Sequence, residues 1–171
     1  AVLCLSISLQ AHAQAAIFPA LGVRGTPSRS DVQRPSKHGE CGKVDIHKAI
    51  DSSQAVQADG NGKFSVKVLN FETGKDGSRE LTEALVDPTG KGSSFESVKI
   101  VQNGDRTPTS TGTQEIVAQL PSNADCSGGS SGNRCLVSFK TAGGFGNCVV
   151  VQKGAARASK ATSATSTPAA A

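Results

Sequence analysis

The sequence predicts an all-β protein: a single antiparallel β-sandwich of immunoglobulin-like type, stapled by disulfides, with one stretch that suits a short helix. Three observations lead there. Short β-branched runs recur along the middle of the chain, turns rich in glycine and asparagine separate them, and four cysteines are spread through the same region.

The strands follow in order. Residues 63–69, KFSVKVL, place Phe64, Val66 and Val68 on one face with polar residues between, the period-two pattern of a half-buried strand. Residues 94–102, SFESVKIVQ, set Phe95, Val98 and Ile100 among charged and polar neighbours. EIVAQL (115–120), RCLVSF (134–139) and NCVVVQ (147–152) are further apolar runs bounded by Gly, Pro, Ser and Asn. ADGNGK, TGKDGS, DPTGKG, QNGDRTP and SGGSSGN lie between them and supply residues that accept the positive φ values of tight turns. VDIHKAIDSSQAV (44–56) fits no single period, so a short helix or an edge strand both suit it.

The two ends differ from the middle. The first nine residues are almost wholly apolar and uncharged, too short a run to span a membrane and similar to the end of a secretory signal. Small residues at Ala11, Ala13 and Ala15 meet the −3 and −1 preferences of signal peptidase for a cut after Ala13 or Ala15. Residues 1–13 therefore read as a signal remnant, 16–152 as the domain, and 153–171 as an Ala/Ser/Thr-rich tail expected to be disordered. Export would place the chain in an oxidising compartment, and losing Cys4 would leave Cys41, Cys126, Cys135 and Cys148.

Four cysteines allow three pairings. The favoured one joins Cys126 to Cys135 across a Gly/Ser-rich loop, and Cys41 to Cys148. In the chain-entropy model a closed loop of roughly 100 residues stabilises by about 4–5 kcal/mol. Zinc is disfavoured, because no C-x-x-C pair exists and no histidine lies near the later cysteines.

Charge excludes some partners. The formal net charge is +4, but Lys153, Arg157 and Lys160 lie in the tail, leaving 15 basic and 14 acidic residues in positions 15–152. Such a balance does not point to nucleic acid, which demands clustered basic residues. The chain also has no Trp and no Tyr, the usual stacking platforms for sugars and for single-stranded bases.

Catalytic motifs are sparse. Gly128-Gly129-Ser130-Ser131-Gly132 satisfies G-x-S-x-G formally, yet no histidine follows His47, and a nucleophile elbow needs a strand before, a helix after and a later histidine. Most turn-adjacent carboxylates, such as Asp59, Asp76, Asp87 and Asp105, have a local explanation in turn geometry. No catalytic residue and no cofactor is expected. The alternative is copper held by His12 with His38 or His47, which requires two imidazoles and the terminal amine in a tetragonal set. A cut before His12 would put Leu9 at −3, so His12 is expected to leave with the signal, with His38 on an exposed loop and His47 on a polar face.

FPALGV (18–23), RSDVQRPS (29–36), CGKVDI (41–46), KDGSRE (75–80), VQNGDRTP (101–108) and CLVSFKTAGGFGNCVVVQ (135–152) together carry a family likeness. They resemble the fungal appressorium-associated Gas-like or Egh-type virulence-factor family, in its mushroom-type branch, with GGFGNCVVVQ the most specific part. The resemblance implies a small secreted protein of the cell surface or extracellular matrix, linked in plant pathogens to infection structures. It implies no chemistry. Relative to six-cysteine members, this chain has Phe139 at one cysteine position and none around Leu81 to Leu85, as if one disulfide had been removed whole. Some members begin with His-Gly and carry a second histidine in the strand matching KFSVKVLN, where this chain has Leu69 and Asn70. Arg34, Pro35, Gly144, Phe145 and Gly146 fit the family pattern and mark either a shared surface loop or turn and packing needs, the second favoured because glycine reports backbone geometry.

The expectation is a non-catalytic surface or matrix protein in attachment, wall organisation or host interaction, with a cell-wall polysaccharide or host surface as partner and no membrane span. The alternatives are a copper-dependent oxidative polysaccharide enzyme and a host-directed effector that binds a protein.

Overall fold

The computed structural model describes residues 14–157, and the period-two runs within them form strands of two stacked sheets. One sheet has the order β1-β3-β7-β6, from Ala15–Phe18, Lys63–Asn70, Gly112–Gln119 and Lys99–Gln102. The other has the order β2-β9-β8-β4-β5, from Ala55–Ala58, Gly146–Lys153, Arg134–Thr141, Leu81–Asp87 and Glu96–Ser97.

The core lies between the sheets. Ile17, Phe64, Val66, Val68, Ile116 and Ala118 face Ala84, Val86, Cys135, Val137, Phe139, Val149 and Val151. Phe64 and Phe139 meet across the middle with ring centroids 6.3 Å apart, within the range of favourable tilted aromatic pairs.

The expected antiparallel sandwich carries one exception, since β2 runs parallel to β9 with Ala55 opposite Val150. A two-residue hairpin can join only antiparallel strands. Here the chain reaches that edge through a one-turn helix, α1 (Ile46–Ala49), so the direction is free. The 44–56 stretch thus holds both structures that its pattern suits: α1, capped by the Asp45 side chain accepting from the Lys48 amide, and the edge strand β2.

SFESVKIVQ also departs from expectation. It forms two strands in different sheets, β5 pairing with β4 and β6 with β7, and the chain crosses over at buried Val98, whose amide donates to the Ala84 carbonyl.

A second apolar cluster explains why β8 and β9 read as continuous runs. Leu136, Cys148 and Val150 point away from the sandwich core and are covered by Leu21, Cys41, Ala49 and Ile50, with Val44 and Ile46 beside them. Strands buried on both faces lose the apolar/polar alternation. The Cys41–Cys148 disulfide ties this cover, supplied by residues 19–54, to the outer face of β9. The Cys126–Cys135 disulfide lies in the inter-sheet core and closes the base of the Gly/Ser loop.

The domain reaches beyond both sequence boundaries. Ala15, placed with the signal by the later of the two cuts, is fully buried in β1 opposite Asn70. At the other end β9 runs to Lys153, whose ammonium donates to the Ala124 carbonyl, and Arg157 pairs with Asp125. Residues 153–157 are therefore hydrogen-bonded back to the domain, although 154–157 are exposed. His12 and the rest of residues 1–13, like residues 158–171, lie outside the described residues. Among the described residues no helix is long and apolar enough to cross a membrane.

Candidate functional site

Folding gathers Arg34 and Phe145 beside two cations from elsewhere in the chain. The Thr26–Gln33 segment turns at a short 3-10 helix, Arg29–Asp31, where the Asp31 carboxylate accepts from the Ser28 amide and hydroxyl, both at 2.7 Å. The chain then pairs with the start of β9: the Gln33 amide donates to the Gly146 carbonyl at 2.9 Å, and the Gly146 amide donates back at 3.1 Å. This bridge sets the Arg34 guanidinium 4.4 Å over the Phe145 ring.

The Gln33 side chain brings in the next segment. Its Oε1 accepts from the Lys43 amide at 3.0 Å, while its Nε2 donates to the Asp31 carbonyl at 3.2 Å. Gly42 is required here, since it has φ +66° and an added Cβ would stand 2.3 Å from Gln33 Oε1. Arg29 is fixed from the opposite side by its hydrogen bond to the Phe71 carbonyl and its ion pair with Glu72, at 2.6 and 2.7 Å.

The result is an open cleft of about 480 Å³ lined by Arg29, Ser30, Val32, Gln33, Arg34, Gly42, Lys43 and Phe145. Arg34 and Lys43 are exposed, and among the described residues neither side chain enters a salt bridge. A stacked guanidinium keeps its in-plane N–H donors free at the edge, where they match a carboxylate or phosphate bidentately. The cleft can therefore hold an anion.

Around this cleft the other residues of the family pattern have structural duties. Pro35 is buried. Gly146 admits no side chain, because a Cβ would lie 1.9 Å from the Phe139 carbonyl oxygen, and Gly144 (φ +83°) closes the β8–β9 turn by donating to the Thr141 carbonyl. Of these residues only Arg34 is exposed, and the Phe145 ring beneath it is buried. Arg29, Gln33 and Lys43 were not singled out by sequence reasoning, although the basic residues of RSDVQR and CGK lie in two of the stretches that carry the family likeness.

The remaining sequence features resolve individually. His38 sits at the tip of a tight turn closed by reciprocal Ser36–Gly39 backbone bonds, and His47 is exposed on α1. Among the described residues no group of three or more His, Cys, Asp or Glu side chains could hold a metal ion. Ser130 lies in a hairpin loop between Gly128 and Arg134, its amide donating to Asp51 rather than opening a helix. Glu40, beside the His38 turn, has its carboxyl pushed up by burial and by the Glu83 charge, against a hydrogen bond from Ser138 and the Lys140 ammonium.

The model of the Egh16-like virulence factor family matches residues 7–146. The chain belongs to that family. The match takes in Gly146 and ends before NCVVVQ, so all but the first residue of the last strand of this Egh16-like chain lies beyond it. No curated protein and no solved structure matches.

Leu69 and Asn70, the residues that the resemblance sets against a second histidine, end β3 in this Egh16-like chain. Asn70 is 4% exposed and stands opposite Ala15 at the start of β1. Its amide donates to the Glu72 and Ser110 carbonyls at 2.7 and 3.0 Å, and its oxygen accepts from Arg79 Nε and the Gly112 amide at 3.0 and 2.9 Å. Every donor and lone pair of Asn70 is engaged within the protein. It knits the end of β3 to β7 and to the Arg79 loop.

Proposed function

We propose that this chain is an exported, non-catalytic protein of the fungal surface or matrix, which attaches by gripping carboxylate groups of a wall or host-surface polysaccharide in the Arg34–Lys43 cleft. The observation that carries this reading is the Arg34 guanidinium stacked 4.4 Å over Phe145 and free of any ion pair among the described residues. Membership of a virulence-factor family and two disulfides suit an extracellular setting. Stacking on the buried Phe145 ring holds the Arg34 guanidinium in one orientation, and its charge selects acidic over neutral sugars.

Retention on immobilised polygalacturonate, chitin and β-glucan tests the reading. The native protein is expected to be held by polygalacturonate and released by salt, since contacts on an open surface are screened. The double variant R34A/K43A is expected to bind about tenfold more weakly, or ~1.4 kcal/mol, with unchanged thermal unfolding. Retention by neutral polymers alone, or equal retention of the double variant, would overturn the assignment. Binding only to a host protein would point instead to an effector.

A further inference from the structure

We infer that the anion cleft is one end of a longer track, whose second subsite is the hollow beside Phe71, and that Glu72 holds Arg29 between them as a stand-in for a ligand carboxylate. The partner so defined is a linear chain of acidic sugars rather than a single acidic group. The inference rests on the carboxylate reading of the Arg34–Lys43 cleft and extends it.

Arg29 is the shared wall. It lines the cleft of about 480 Å³ and also a neighbouring hollow of about 320 Å³, where the end of β3 meets the start of β7. Among the described residues no carboxylate lines either one. The hollow offers what a sugar ring needs. Half-buried Leu69 and Phe71 present apolar surface to its C–H face, and exposed Thr111 and Thr113 carry hydroxyls that enter no hydrogen bond among the described residues. Asn70 lines the hollow too, but its amide is spent within the protein.

The contacts of Arg29 suit it to an exchange of carboxylates. Its guanidinium lies 5.7 Å from the centre of the Phe71 ring, and both its hydrogen bonds leave from Nη2, one to the Phe71 carbonyl and one to the Glu72 carboxylate. The Arg29 and Glu72 side chains are 45% and 48% exposed, and an ion pair in that setting contributes little. The Phe71 carbonyl bond does not depend on Glu72, so the guanidinium keeps its place while one carboxylate replaces another. Arg34 and Lys43 have no such internal partner among the described residues. A first ligand carboxylate therefore docks in the cleft, a later one along the same chain takes Arg29 from Glu72, and the sugar beyond it lies against Phe71, Leu69 and the two threonines.

Calorimetric titration of the full chain with galacturonate oligomers of increasing length tests the track. Affinity is expected to climb beyond the dimer, which the cleft alone accommodates. T111A/T113A removes only exposed hydroxyls, and is expected to weaken long oligomers about three- to tenfold while leaving the dimer unchanged. E72Q is expected to strengthen long oligomers about two- to fivefold, the weight of one exposed ion pair, again without effect on the dimer. Long oligomers bound equally by the native protein and both variants would overturn the track and leave the cleft standing. A gain at every length in E72Q would trace the effect to general charge and overturn the role of Glu72. Equal binding of all lengths by R34A/K43A and the native protein would overturn the carboxylate reading itself, and the track with it.

Discussion

Asp87 shows how a buried charge is made tolerable at the level of one residue. It has no exposed surface, and burial alone would raise its pKa. The Thr89 hydroxyl and the backbone amides of Ser93, Thr89 and Gly92 donate to it and outweigh that effect, so its carboxyl is held below the usual range. A carboxyl depressed in the folded state adds stability that is present above its unfolded pKa and lost as pH falls through the folded value. Urea unfolding should therefore find the protein weakening below about pH 4, and D87N should cost about 2–3 kcal/mol at neutral pH with a flatter acid limb. Glu40 acts in the opposite sense: its raised pKa favours the folded state at acid pH, so E40Q is expected to be neutral or slightly stabilising at pH 7 and without effect at pH 3. Asn147 is a different kind of buried polar residue. It accepts from the Ile17 amide at 2.8 Å and donates to the Ile17 carbonyl at 2.9 Å, capping the free edge of β1. N147A leaves both backbone groups unpaired in a dry place, and a loss on the order of 2–4 kcal/mol in chemical denaturation is expected. A variant as stable as the native protein would show that water reaches that edge.

At the scale of elements, legibility followed how far a strand's environment matched its own composition. The runs at β3, β7, β8 and β9 carried their positions in their apolar pattern. LTEALVD, which forms β4, did not, because Glu, Leu and Ala there are equally good helix formers. AAIF, which forms β1, sat behind an apolar stretch that reads as a leader. The break at Val98 is a tertiary event, since only packing decides that one half of a run joins each sheet. The cleft was half visible for a similar reason. Arg34 and Phe145 stood out as sequence, whereas Lys43 is brought in by the Gln33 side chain and Arg29 is held by Phe71 and Glu72, contacts that no local pattern encodes. The disulfides can be ranked at this scale. Cys41 and Cys148 are 107 residues apart and Cys126 and Cys135 only 9. In the chain-entropy model their removal should cost roughly 4–5 and 2–3 kcal/mol respectively, compared as C41A/C148A and C126A/C135A in urea. Equal losses would indicate that local packing, rather than loop closure, dominates.

The whole molecule is a sheet with two coats. One face of β8 and β9 belongs to the sandwich core, the other to the cover drawn from residues 19–54, so Val137 and Leu136 are neighbours in sequence but serve separate clusters. The dependence is one-way. The cover has only the outer face of that sheet to lie on, while the sandwich keeps its own core of Phe64, Phe139 and their neighbours if the cover lifts. Local opening of this kind is read by amide exchange, which separates regions that open below the global free energy from those that do not. The Leu21 amide, bonded to the Cys148 carbonyl at 2.8 Å, should exchange faster than the amides of β3 and β8. C41A/C148A should widen that gap, because the covalent tie from the cover to β9 is gone, and the protein should then expose apolar surface and bind a hydrophobic dye below its unfolding temperature. The Arg34–Phe145 cleft is held by the same segment, so loss of polyanion retention should accompany opening of the cover in that variant. If Leu21 and the β8 amides exchange together in both proteins, cover and sandwich unfold as one unit, and the disulfide serves global stability rather than the shape of the cleft.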